Sequence, residues 1–92
     1  MDVASAANWY DEKGHAGLGD RFLATFYSYI PHLEESGEIY RIVYSDFRRI
    51  LIKPFPYAVY FRYHEDVVVI ALVIHAVQNP KRIRTLLKDR RD

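Results

Sequence analysis

The stretch FRRILIKPFPYAVYFRYHEDVVVIALVIH, Phe47–His75, decides the fold. Its apolar residues either alternate or run unbroken for a few positions, which is strand patterning rather than helical patterning. From Phe47 to Lys53 the chain alternates, with Ile50 and Ile52 on one side and Arg49, Leu51 and Lys53 on the other. Pro54 and Pro56 bracket Phe55. Proline cannot donate to a sheet ladder, so this is a rigid turn at a strand end. Tyr57–Tyr63 is rich in β-prone residues, and His64-Glu65-Asp66 is a compact polar hairpin connection. Val67–Ile74 is apolar on both faces, the pattern of a strand covered on both sides. These segments predict a meander of three antiparallel strands. Ile39–Tyr44 reads equally as a short strand, which would be a fourth, or as an extended connection.

On the N-terminal side the period is helical. Val3, Ala6, Ala7 and Tyr10 form one apolar stripe, with Asp2 as N-cap and Gly14 just past the end. Gly14–Gly19 is a short glycine-rich connection. Leu18, Phe22, Phe26, Ile30 and Leu33 then line a second amphipathic helix, with Asp20 suited to its N-terminal dipole. Pro31 removes one helical hydrogen bond and crowds the Tyr27 carbonyl, so this helix is expected to kink or end nearby. Ser36-Gly37 closes the segment. On the C-terminal side, Ile83, Leu86 and Leu87 mark a helix from Pro80 among basic residues. The expected architecture is α+β: an N-terminal helical hairpin packed on an antiparallel sheet of three or four strands, with a basic C-terminal helix. Residues 1–92 form one domain.

Composition limits the function classes. Ninety-two residues, half of them apolar and 15% aromatic, are a small folded domain and not a disordered tail. There is no cysteine, hence no disulfide framework and no thiolate metal site. The longest apolar run, Val67–Ile74, is too short to span a bilayer, and nothing at the N-terminus reads as a signal peptide. A cytoplasmic home, without membrane partners, is expected. The net charge of +1 conceals an asymmetry. Residues 1–40 hold two basic and seven acidic side chains; residues 41–92 hold eleven and five. Such a split suits a polyanionic partner, nucleic acid or an acidic protein, facing the C-terminal half; a solvated helix face with a basic tail is the plainer alternative.

His75, at the end of the apolar strand, has a side chain suited to acid–base work near neutrality. A histidine satisfied by backbone at a strand end is the commoner case. Its candidate companions in chemistry are Arg62 and Arg49. His15, His32 and His64 show no metal-ligand spacing, so neither metal nor cofactor is expected. The aromatics of Tyr57–Tyr63 would serve as a base-stacking platform. The stronger expectation places them in core on one face and under a partner on the other.

Three words of the sequence, in this order and spacing, resemble the ParE/RelE toxin superfamily: NWYDEKGHAGLGDRF at Asn8–Phe22, FRRILIKPFPYAVYFR at Phe47–Arg62 and VVVIALVIHAVQNP at Val67–Pro80. The resemblance, to ParE-like plasmid stabilization toxins in particular, covers roughly residues 3–84. It implies a cognate antitoxin that wraps the protein with a helix and an extended segment. It also implies a target, DNA gyrase for ParE-like members and messenger RNA in the ribosomal A site for RelE-like ones. Trp9, Tyr10, Phe26 and Tyr27 are then candidates to line a groove for the antitoxin helix, together with Tyr29. Arg48, Arg49, Lys81, Arg82 and Arg84 are candidates for contacts with antitoxin or target.

This sequence departs from the family in two ways. Members open with a β-strand before the first helix, and this sequence begins almost inside that helix. A sheet without that strand has an open edge that an antitoxin or a second copy could fill, giving a strand-completed hetero-oligomer or a homodimer. The arginines that ribonucleolytic members place near the second-last and after the last strand fall here at about Tyr57 and Val77. Neither can neutralise a developing phosphorane. That turns the expectation from nuclease toward a binding poison of gyrase. The alternatives are a ribosome-dependent mRNA endonuclease and a non-toxic, antitoxin-binding module.

Overall fold

Gly17 has φ 78°, the left-handed region that favours glycine, and from it the chain enters helix α1, Leu18–Ser36. The computed structural model describes residues 17–90. The expected first helix, with Trp9 and Tyr10, lies outside the described residues. Phe22, Phe26 and Leu33 are buried along one stripe of α1, with Ile30 packed at its margin. The helix does not end near Pro31; it continues to Ser36. Pro31 is on the exposed face and Tyr27 is 59% exposed, so the Tyr27 carbonyl that lost its donor can turn to water.

A 3-10 turn, Gly37–Ile39, leads to strands β1 (Ile42–Tyr44), β2 (Phe47–Leu51), β3 (Tyr57–His64) and β4 (Val67–His75), then helix α2 (Pro80–Asp89). The four strands form one antiparallel sheet in sequence order. The fold is therefore α+β, and Ile42–Tyr44 is the fourth strand. Glu65 and Asp66 both have positive φ, as a two-residue hairpin turn matched to strand twist requires. Around Phe55 the proline turn is closed by Phe55 N–H donating to the Ile52 carbonyl, 2.8 Å. It drives the ring inward to meet Phe22 edge-on at 5.1 Å.

Both faces of the sheet carry core. On one, α1 covers Ile50, Ile52, Tyr57, Val59, Phe61 and Val73. On the other, Ile83 and Leu87 of α2 cover Phe47, Ala58, Tyr60, Leu72 and Ile74. Contrary to the expectation from sequence, β3 does not show one face to a partner, because the chain's own C-terminal helix occupies it. The alternation expected for β2 holds, with Ile50 and Ile52 buried beneath α1. β4 achieves its two-sided burial through an irregularity. Tyr60 pairs with Leu72 and Phe61 with Ile70, so Ala71 is an extra residue. Beyond that bulge the strand's parity reverses. Helix α2 begins at Pro80, with Asn79 as N-cap accepting from Lys81 N–H at 2.8 Å. Among the described residues, no strand pairs with the outer edge of β4.

Two tyrosines tie α1 to the sheet. Tyr63 donates its hydroxyl to the Leu33 carbonyl at 2.6 Å, and the Tyr57 ring meets Phe22 at 5.3 Å. Burial pushes the Tyr57 hydroxyl above its ordinary pKa. Burial does the same for Tyr63, helped by the negative charge of Glu38 and opposed by Arg48. In the unfolded chain both ionise near the ordinary value of 10.0. A folded pKa above the unfolded one gives stability that is complete below the unfolded value and is lost as pH rises through the folded one. Urea midpoints are therefore expected to hold to about pH 10 and fall above it. The Tyr57→Phe/Tyr63→Phe pair should flatten that fall, and an equally steep alkaline loss in the double variant would rule the tyrosines out.

Candidate functional site: a basic cleft between the sheet and helix α2

Arg49 is the residue around which the candidate site is built. Strand alternation turns its side chain to the α2 face, opposite Ile50. There its Nε donates to the Tyr60 hydroxyl at 3.1 Å and its Nη2 to the Ala76 carbonyl at 3.2 Å. The guanidinium carbon lies 6.0 Å from the Tyr60 ring centroid. The cross-strand register, Arg49 opposite Tyr60, makes this contact. The result is a guanidinium held in place by groups on two segments, β3 and the chain after β4, with its other donors not engaged by the described residues.

Beside it opens a cleft of about 310 Å³. Tyr44, Gln78 and Arg84 add polar groups, and Val43, Pro80 and Ile83 supply apolar wall. Arg84 belongs to α2, which the Asn79 cap and the Ile83 and Leu87 contacts hold against the sheet. Two arginines beside tyrosine hydroxyls and an amide suit an anionic group, a carboxylate or a phosphate, because guanidinium donors match planar or tetrahedral oxyanions in pairs. Among the described residues, no carboxylate or imidazole lines the cleft.

The other candidates expected from the sequence separate in space. Arg62 shares the α2 face with Arg49 but sits over Phe47, its guanidinium 6.0 Å from that ring and 3.4 Å from Asp46. His75 lies on the opposite face. It is exposed, its ring meets Tyr57 at 5.7 Å, and its Nδ1 accepts from Val77 N–H at 3.2 Å. The three residues named for chemistry are thus not gathered into one centre. Arg48 points to the α1 face and donates to the carbonyls of Glu38 and Tyr40, at 2.9 and 2.7 Å, so it fastens the chain's own loop. Phe26 is buried in the core, which removes it from a partner groove, while its neighbour Tyr27 is exposed. Lys81 and Arg82 are exposed on α2. Tyr44, Tyr60 and Gln78 do not stand out in the sequence as parts of an anion site, since only the register and the return of α2 bring them to Arg49.

Among the described residues, no group of three or more His, Asp or Glu side chains is placed to hold a metal. No described helix is long and apolar enough to cross a membrane. Compared with family models, curated proteins and solved structures, the chain gives no match.

Proposed function

We propose that this protein is the toxin of a toxin–antitoxin pair, acting in the cytoplasm by binding its target and held inactive by a cognate antitoxin. The observation that carries the binding part of this reading is the cleft. Arg49 is fixed by Tyr60 and Ala76, and Arg84 lies in the same lining. Two guanidinium groups in one cleft are suited to gripping an anion. The identity of the target, DNA gyrase, comes from the sequence resemblance to ParE-like toxins and supports the reading only to that extent.

Inducing the gene alone in bacteria should arrest growth, and the purified protein should inhibit gyrase supercoiling. Arg49→Ala and Arg84→Ala should each weaken target binding about tenfold, the usual scale for losing a charged hydrogen bond, and together restore growth. Because both cations line one cleft, the double variant should retain a cooperative unfolding transition. If the protein cuts mRNA on translating ribosomes and leaves gyrase untouched, the endonuclease reading replaces this one. The observation in that reading's favour is the same fixed guanidinium, which is placed to stabilise phosphate charge. Normal growth on induction would leave a non-toxic, antitoxin-binding module.

A further inference from the structure

The folded chain turns the charge asymmetry of the sequence into a separation across the sheet. On one face lie α1 and the turn after it, with exposed Asp20, Glu34, Glu35 and Glu38 beside exposed Arg21. On the other face lie α2 and its C-cap, with Lys81, Arg82, Arg84, Lys88 and Arg90 all exposed beside one acid, Asp89.

Helical geometry sorts these cations. Ile83 and Leu87 share the buried side of α2 and seat it on the second core. Lys81, Arg84 and Lys88 fall at i, i+3 and i+7, one row along the flank that borders the basic cleft, where Arg84 is part of the lining. Arg82 and Asp89 lie on the opposite flank. From Lys81 to Arg90 no exposed residue is apolar and none is aromatic.

Such a surface selects its partner. Protein interfaces are anchored by aromatic or aliphatic side chains and are depleted in lysine, whereas nucleic-acid interfaces are polar and strongly positive. Single strands are held by stacking on aromatic rings, which α2 does not offer. A helix about 10–12 Å across enters the major groove of B-DNA, about 12 Å wide, but not the narrow one of duplex RNA. We propose that α2 binds duplex DNA along the major groove, with Lys81, Arg84 and Lys88 following one phosphate strand and Arg82 reaching the other. Rises of about 4.5 and 6 Å between members of the row bring these long side chains within reach of successive phosphates. Contacts of this kind fix position and carry no sequence preference. The acids on the far face orient the molecule with α2 toward the polyanion. The inference concerns α2 alone and stands whether or not the protein is a toxin.

The test is fluorescence anisotropy of a short labelled duplex of mixed sequence titrated with the full chain. Contacts by Lys81, Arg82, Arg84 and Lys88 predict a log–log salt slope of about −3.6, a loss of about a hundredfold between about 50 and 200 mM salt. Lys81→Gln/Arg84→Gln/Lys88→Gln should reduce the slope to about −1, while Arg21→Gln, on α1, should leave it unchanged. Asp89→Lys supplies a gain that no loss of folding can mimic. It should raise the affinity severalfold and steepen the slope by about one. The proposal is overturned by no binding at the lowest salt, by an unchanged slope in the triple variant, or by no gain from Asp89→Lys. Tighter binding of single-stranded DNA or duplex RNA than of duplex DNA also overturns it. So does tighter binding of polyglutamate of equal charge, which would assign α2 to an acidic protein.

Discussion

Phe61→Ala is expected to lower the melting temperature by about 15–30 °C, from a loss of about 3–5 kcal/mol at about 4–8 °C per kcal/mol. Phe61 is 0% exposed in the centre of the sheet. Its ring meets Tyr40 at 6.4 Å and Tyr63 at 6.1 Å, both edge-on, so it joins the loop after α1 to the third strand. Removing the ring leaves a void that neither tyrosine can fill, because Tyr63 is bound to the Leu33 carbonyl and Tyr40 to His32 Nε2 at 2.6 Å. The surroundings therefore relax little, which places the cost toward the upper end for such truncations. A domain of this size commonly holds only about 5–15 kcal/mol in all. Tyr27→Ala, at a 59% exposed position one residue from the core, supplies the control and should shift the melting point by a few degrees at most. A Phe61→Ala shift no larger than the control's would show that the α1 core is not where the stability resides.

Gly37→Ala comes next in size. Gly37 has φ −61°, which any residue adopts, so the cost is steric and not conformational. An added methyl would collide with the Tyr63 hydroxyl and lie 3.0 Å from Phe61 Cε2. Overpacking of this kind costs about 1–3 kcal/mol, and displacing Tyr63 also forfeits its bond to Leu33, about 1 kcal/mol more. A fall in melting temperature of about 10–20 °C is expected. The diagnosis is tested by a double-mutant cycle. Tyr63→Phe alone should destabilise, yet in the Gly37→Ala background it removes the atom in the way and should recover part of the loss. Strict additivity of the two changes would place the strain elsewhere.

The strand meander, the C-terminal helix and its buried stripe were legible in sequence because each rests on periodicity, a local signal. Ser36-Gly37 marked the end of α1 correctly, whereas an end nearer Pro31 was not realised, since the proline rule concerns the hydrogen bond that is removed and is silent on whether the orphaned carbonyl reaches water. Phe26 and Tyr27 are adjacent aromatics on one helix, and only the helix's rotation about its axis decides which is core. The candidate site was legible in composition but not in assembly. Arg49 and Arg84 both stood out as basic residues for a partner, yet they line one cleft only because α2 folds back over the sheet. The same packing covers the second face of β3, which the sequence alone had left for a partner. His75 shows the converse: a backbone partner for it was foreseeable, since the Val77 N–H is two residues away.

The extra residue at Ala71 has a consequence for chain length. A strand has a frame of two, and this bulge is a shift of that frame written into β4. Deleting one residue there would not shorten the strand so much as turn one half of it inside out. Val73 would exchange sides with Leu72, and His75 with Ile74. The two cores fix the count of residues between Phe61's partner and Tyr60's. Related chains are therefore free to vary in length at the hairpin tip, at Glu65-Asp66, and in the connection to α2, while the interior of β4 admits neither insertion nor loss.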